Sequence, residues 1–231
     1  MSEVWVVIPT YEEAANLERL LRGIRDVLPH AWILVVDDGS SDGTGELAER
    51  LSKELGGMEV IHRPGKQGLG SAYVEGFTRA LERGAETIIQ MDGDFSHDPE
   101  DLPRLLGVEA DLVLGSRYVQ GGGTRNWSVF RQALSRLGTR YASAWLGLQY
   151  TDLTGGFRCW SGELLGQVLD RPIRSEGYAF QVEMCARAHG HGAQIVEIPI
   201  VFTERAQGSS KMSYAIVLEA VWKVPSFRWK S

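Results

Sequence analysis

The chemistry in this chain concentrates in Met91-Asp92-Gly93-Asp94-Phe95-Ser96-His97-Asp98-Pro99, where two carboxylates stand one glycine apart. Ile88 and Ile89 run into them, the pattern of a buried strand that ends at a charged edge. Alternation along a strand end points Asp92 and Asp94 to the same side, where two like charges repel unless a cation neutralises them. A hard divalent ion such as Mg2+ suits the pair, because it takes one or two carboxylates together with substrate phosphates. Gly93 leaves room for a ligand to approach the backbone. An EF-hand loop is excluded, since its glycine position carries His97 and its last position Pro103 where a bidentate Glu is needed. A turn or helix cap is the structural alternative, and it explains Asp98 before Pro99 better than it explains Asp92.

Other polar residues arrive at the same kind of place. Val4-Trp5-Val6-Val7-Ile8 reads as a buried parallel strand that leads into Pro9-Thr10-Tyr11-Glu12-Glu13. A helix is expected from about Glu13 to Leu28, with Leu17, Leu20, Leu21 and Ile24 on one face. A second strand, Trp32 to Val36, runs into Asp37-Asp38-Gly39-Ser40-Ser41-Asp42, with Ser41 or Asp42 as N-cap of a helix reaching Leu55. Met58 to His62 is a third strand, followed by Gly65-Lys66-Gln67-Gly68-Leu69-Gly70 and a helix to about Arg83. Thr87 to Met91 and Leu112 to Arg117 complete five strands. The alternation predicts an α/β fold, a mostly parallel sheet with helices on both faces, and such sheets bind ligands beyond the carboxyl ends of their strands. Tyr11, Asp38, Lys66, Asp92, Asp94 and Arg117 all fall just past a strand end. The glycines after the third strand match neither the dinucleotide fingerprint nor the P-loop, leaving backbone amides and Lys66 near a phosphate, or a plain turn.

The chain has 231 residues and a net charge of -6, which argues against general nucleic-acid binding. Its charge is uneven. No acid occurs from Leu112 to Thr151, while Arg117, Arg125, Arg131, Arg136 and Arg140 do, which suggests a local anionic ligand or an anionic membrane surface. Trp127, Phe130, Leu134, Leu137, Tyr141 and Trp145 recur at spacings of three and four, so a helix over about 127–147 either lies in a membrane interface or turns this stripe to the core. No run of apolar residues is long enough to span a bilayer and no signal peptide is evident, so a cytosolic location is expected. Cys159 and Cys185 read as core thiols, Trp160 and Phe180 as packing residues, and His62, His97, His189 and His191 as ordinary polar positions. Glu183 and Asp152 are candidates to position sugar hydroxyls.

Pro9-Thr-Tyr-Glu-Glu13, Val36-Asp-Asp-Gly-Ser-Ser-Asp-Gly-Thr44, Lys66-Gln-Gly-Leu-Gly70 and Met91-Asp-Gly-Asp94, in this order, resemble the family 2 inverting glycosyltransferases of GT-A fold. Gly115-Ser-Arg-Tyr118, Asp152-Leu-Thr-Gly-Gly-Phe-Arg158, Ser175-Glu-Gly-Tyr-Ala-Phe-Gln181 and Arg205-Ala-Gln-Gly-Ser-Ser-Lys-Met-Ser213 are similar to its dolichol-phosphate and polyprenol-phosphate mannose synthases, in a form without membrane helices. The resemblance implies transfer of mannose from GDP-mannose to a polyprenyl phosphate at the cytoplasmic face of a membrane, by a peripheral protein that an integral membrane partner can accompany. By motif position, Pro9, Tyr11, Glu13, Val36 and Asp38 hold the guanosine, and Lys66, Arg205 and Lys211 the donor phosphates. Asp92, Gly93 and Asp94 bind the diphosphate through Mg2+ or Mn2+, with Ser96 where the family often has a ligating Gln. Arg117, Arg131 and Ser135 receive the acceptor phosphate, and Asp92, Asp94 and Arg117 form the catalytic set. Residues 1–212 are expected to form the catalytic domain, and 213–231 a C-terminal helix and membrane-associating tail. A UDP-glucose or other nucleotide-sugar donor, or a non-catalytic nucleotide-sugar-binding role, are the alternatives.

Overall fold

β1 (Val4–Thr10) is buried almost throughout, as a continuous apolar run requires of a strand covered on both faces. Alternation divides it, Val6 and Ile8 entering one hydrophobic cluster and Trp5 and Val7 the other. β2 (Trp32–Asp37) repeats the division, with Ile33 and Val35 on the first side and Leu34 and Val36 on the second. The computed structural model describes residues 3–173, 175–204, 223, 224 and 227. Its remaining strands are β3 (Met58–His62), β4 (Thr87–Gln90), β5 (Leu112–Ser116), β6 (Gly123–Arg125), β7 (Arg158–Ser161), β8 (Ile195–Pro199) and β9 (Val201–Thr203).

The main sheet has the order β3-β2-β1-β4-β7-β5-β8, and every pairing in it is parallel except those of β7 with β4 and β5. β6 and β9 pair separately. One face is covered by α1 (Ala14–Val27), α2 (Thr44–Leu55) and α4 (Leu102–Leu106), the last entered through a 3-10 turn at Pro99–Asp101 capped by Asp98. The other face carries α3 (Leu69–Glu82), α6 (Gly162–Leu169) and α7 (Gly177–Gly190). The expected mostly parallel α/β sheet with helices on both faces is what forms. On α1 the expected Leu17, Leu20, Leu21 and Ile24 are the buried residues, each worth about 1.5–3 kcal/mol of burial. α3 lies close on the sheet at Gly76, where a Cβ would stand 2.4 Å from Val7 Cγ1.

Local boundaries differ where side chains cap. Glu13 precedes α1 as its cap residue, and Gly43, with φ 89°, takes the place expected of Ser41 or Asp42 before α2. Asp42 instead accepts from the amides of Thr44 and Ala14, both at 3.1 Å, joining the starts of two helices. α5 (Val129–Leu146) begins after Ser128, whose hydroxyl accepts from Arg131 N at 3.2 Å, so Trp127 lies outside the helix.

Candidate active site at the carboxyl edge of the sheet

Strand order turns around between β1 and β4, β2 and β3 lying to one side and β7, β5 and β8 to the other. Crevices at such switch points are where open α/β sheets bind ligands. A cleft of about 440 Å³ opens there, within the size range of small-molecule sites. Pro9, Tyr11 and Glu13 reach it from the end of β1, Asp38 from β2, Lys66 from the loop after β3, Asp92, Gly93 and Asp94 from β4, and Arg117 from β5. Because β7 runs antiparallel, the turn that precedes it also arrives at this edge and contributes Thr154, Gly155 and Gly156.

Asp92 is held from two directions. The Tyr73 hydroxyl donates to its Oδ1 at 2.7 Å, and His97 Nε2 lies 3.4 Å from Oδ2. Burial first, then the Asp92 charge, hold the Tyr73 phenol well above its usual range, so it stays a donor. His97 is buried between Phe157, stacked at 4.8 Å, and the edge of Phe202. It is a support for Asp92, although its place in the chain reads as an ordinary polar position. Asp94 is buried beside it and accepts from Ser96 N at 3.0 Å. Ser96 itself is buried, its carbonyl accepting from Thr203 N, and it does not line the cleft. A Cβ on Gly93 would stand 3.0 Å from both Pro9 O and Thr10 Cγ2. The glycine is therefore required by the approach of the chain end after β4 to β1, in addition to any approach by a ligand. Between the two carboxylates and Ser96, Phe95 adopts φ 59° under the Arg19 guanidinium, 4.2 Å from its ring, a backbone strain of about 1–3 kcal/mol concentrated at the site.

On the β1–β2 side, the Lys66 ammonium sits 4.0 Å from the Tyr11 ring centroid and both line the cleft. Asp38 organises the loop behind them, accepting from Arg63 Nη1 at 2.5 Å, Gln67 N at 2.9 Å and Gly68 N at 2.9 Å. Glu176 reaches across from the start of α7 and accepts from Gly70 N at 2.7 Å and Ser71 N at 3.2 Å. The glycine-rich amides expected near a phosphate are thus engaged by two carboxylates. The glycine spacing has the same cause, since a Cβ on Gly68 would lie 2.6 Å from Glu176 Oε2 and one on Gly70 2.7 Å from Ser175 O. Val36 is not brought to the cleft; alternation turns its side chain under α3, beside Gly76.

On the opposite flank Arg117 is buried and gripped by Asp152, Nε to Oδ2 at 2.7 Å and Nη2 to Oδ1 at 2.6 Å. Nη2 also donates to Thr154 Oγ1 at 2.8 Å and reaches Ser135 Oγ at 3.4 Å, leaving Nη1 without a protein hydrogen bond among the described residues. Burial works against the guanidinium charge, but Asp152 more than offsets it and holds the pKa above its ordinary value. Asp152 is therefore the counter-ion of Arg117 rather than a ligand for sugar hydroxyls. Glu183 does not reach the cleft either, bonding instead to Ser175 Oγ at 2.6 Å and to Arg187. Arg131 pairs with Glu204 and lies 4.3 Å from the Trp127 ring, which Arg117 approaches at 5.0 Å. Trp127, whose spacing placed it on a stripe facing either a membrane interface or the core, is buried here between the two arginines.

Of the rest of that stripe, Phe130, Leu137 and Trp145 face outward, as does neighbouring Val129, whereas Leu134 and Tyr141 are half-buried and Tyr141 packs against the core. Val129 is 83% exposed, Phe130 72%, Leu137 60% and Trp145 45%, while Thr139 and Ala142 form the buried side of α5. The core-facing alternative does not hold for these residues. No helix among the described residues is long and apolar enough to cross a membrane. Cys159 and Cys185 are buried, and burial pushes their thiols up to about 12 and about 11, as core thiols. Arg205 and Lys211 lie outside the described residues, as does most of 213–231.

Known proteins share both the sequence and this architecture. The model of Glycosyl transferase family 2 matches residues 5–168. The chain is 46% identical to an undecaprenyl-phosphate mannosyltransferase from Micrococcus luteus over 98% of this chain and 93% of that one. It is 44% identical to a polyprenol monophosphomannose synthase from Mycolicibacterium smegmatis over 95% of this chain and 84% of that one. In fold it is similar to glucosyl-3-phosphoglycerate synthase from Mycobacterium tuberculosis, crystallised with Mn2+, UDP and phosphoglyceric acid. That match has a TM-score of 0.73 at 18% identity, covering 98% of this chain and 78% of the other.

Proposed function

The chain belongs to glycosyltransferase family 2, and from that membership we propose that it moves mannose from GDP-mannose to a polyprenyl monophosphate, releasing GDP and leaving a β-linked lipid phosphomannose. The observation that carries this reading is the division of one cleft into a carboxylate lip, Asp92 and Asp94, and an arginine lip, Arg117 and Arg131. Two anionic substrates meeting in one crevice call for such a division, one lip receiving a metal-bound diphosphate and the other a lipid phosphate. The two mannosyl-transferring relatives support the sugar and the acceptor class; the guanine nucleotide rests on the motif resemblance.

The donor set fits a divalent cation, Mg2+ or Mn2+. Two hard carboxylates sit at one edge, and Tyr73 and His97 fix the orientation of Asp92. Asp92 and Asp94 would hold it, with Ser96 set back from the cleft, and the ion would offset the charge that develops on the departing diphosphate. Tyr11, Lys66, Glu13 and Pro9 line the part of the cleft where the nucleoside and its phosphates fit. Arg117 is locked by Asp152 with Nη1 left over, and so presents a preorganised donor to the acceptor phosphate; Arg131 joins it by exchanging Glu204 for that phosphate. The acceptor is already an anion near neutral pH and needs positioning rather than deprotonation, so no general base is assigned. Its phosphate oxygen attacks the anomeric carbon in line with the leaving GDP, which inverts configuration. The exposed stripe of α5 seats the protein on the membrane that holds the lipid, with Arg136 and Arg140 beside it, and the surface concerned is the cytoplasmic one.

The test is incubation of the purified protein with Mn2+, polyprenyl phosphate, and either GDP-mannose or UDP-glucose. A β-linked mannosyl lipid from the first donor, and a loss of about 10²-fold or more in rate in Asp94→Ala, are expected. An α-linked product, or equal use of UDP-glucose, overturns the reading.

A further inference from the structure

Arg158 opens β7 and is fully buried, yet its guanidinium donates only to backbone carbonyls. Nε reaches Gly155 O at 3.1 Å, Nη1 reaches Gln181 O at 2.9 Å and Nη2 reaches Leu153 O at 2.9 Å. Among the described residues it has no ion-pair partner. Burial of a cation without a counter-ion in contact is strongly disfavoured, the Asp152 and Asp92 charges acting only from further off and not offsetting the burial, and an apolar residue would fill the same volume without that cost. Core packing therefore does not account for it.

Its three partners do. Leu153 and Gly155 belong to the turn before β7, and Gln181 to α7, whose side chain lines the cleft. That turn stands between the two lips of the site. Thr154 Oγ1 meets Arg117 Nη2 at 2.8 Å and Ser135 Oγ at 3.2 Å, and Gly155 N donates to Asp152 at 3.1 Å. On its other side Gly156 packs so closely on Asp92 that a Cβ would stand 3.0 Å from Oδ2. A planar fork with fixed donor directions can tie three carbonyls at once, which the single ammonium of lysine cannot reproduce.

We infer that Arg158 is a positioning residue for the transfer reaction, clamping the 153–156 turn to α7 and thereby setting the distance between the acceptor-side Arg117 and the donor-side Asp92. This rests on the reading of the cleft as a sugar-transfer site. The test compares wild type with Arg158→Lys, which keeps the charge and loses the fork. KM for polyprenyl phosphate is expected to rise on the order of tenfold or more, while the affinity for GDP with Mn2+, measured by calorimetry without turnover, stays within about twofold, because Tyr73 and His97 hold Asp92 independently of the turn and Tyr11 and Lys66 are untouched. A parallel loss of nucleotide affinity, or an unchanged acceptor KM in folded Arg158→Lys, overturns the inference. Hydrogen exchange on the unmodified protein is the second measurement. The amides of 153–158 should exchange as slowly as those of β4 and β5 with no ligand present; exchange as fast as in the exposed turn at Gln120 and Gly121 overturns the inference even where the variant does not fold. Failure of the wild type to transfer mannose would instead remove the reading on which it rests.

Discussion

At the scale of single residues, the site depends on charges that are already matched before substrate arrives. Burial pushes the Asp152 carboxyl upward, but the Arg117 guanidinium more than reverses this and holds it below its ordinary value of 3.8. A depressed folded pKa contributes stability above the unfolded pKa, and that contribution is lost as pH falls through the folded one. Asp152→Asn leaves Arg117 buried without its counter-ion and is expected to lower unfolding free energy by about 3 kcal/mol at pH 7. In urea titrations the gap from wild type should narrow as pH is lowered from 5 through the acid range. A gap that stays constant would mean that Asp152 is not ionised in the folded protein. Asp92, Asp94 and Arg117 could be picked out from type and place in the sequence, but the partner of Arg117 could not, because 35 residues separate it from Asp152. Tyr73 and His97 were hidden for a similar reason, each reading as an ordinary helix or turn residue until the fold sets it against Asp92.

At the scale of elements, periodicity located the strands and helices well, and failed where a cap or a cross-chain contact decides the local geometry. The alternation that buries Trp5 and Val7 on one face and Val6 and Ile8 on the other is plain in the chain. That Gly68 and Gly70 make room for Glu176 is not, since the contact spans more than a hundred residues. α5 shows both outcomes. Its apolar spacing was legible, yet Trp127 shared the spacing without sharing the helix, and it turns inward because Ser128 starts the helix after it. The exposed Phe130 and Leu137 make few demands on the fold, so Phe130→Glu combined with Leu137→Glu should leave unfolding free energy within about 0.5 kcal/mol of wild type. The same variant should no longer sediment with anionic liposomes at low salt, whereas wild type should. Arg136→Gln with Arg140→Gln should weaken that binding about thirtyfold, near 1 kcal/mol per charge at the surface. Wild type that stays in the supernatant with such liposomes would remove the membrane role of this helix.

At the scale of the molecule, the sheet delivers polar residues from β1, β2, β4 and β5 to one rim, and antiparallel β7 adds a turn that sequence alternation alone did not anticipate. The parallel order explains why residues as far apart as Tyr11 and Arg117 share a cleft, and the antiparallel strand explains how Thr154 to Gly156 come between the two lips. A ligand filling that rim bridges β1, β2 and β4, so its binding should register as stability of the whole fold rather than of one loop. GDP with Mn2+ at about a hundred times its dissociation constant adds roughly 2.7 kcal/mol, which for a chain of this size corresponds to a rise of about 5–10 °C in Tm. The rise should shrink when EDTA replaces Mn2+, shrink likewise in Asp94→Ala, and be smaller with UDP. Differential scanning fluorimetry reads all four arms. Equal shifts with and without the metal would place the nucleotide elsewhere than at Asp92 and Asp94, and equal shifts for GDP and UDP would take away the guanine preference while leaving the carboxylate lip intact.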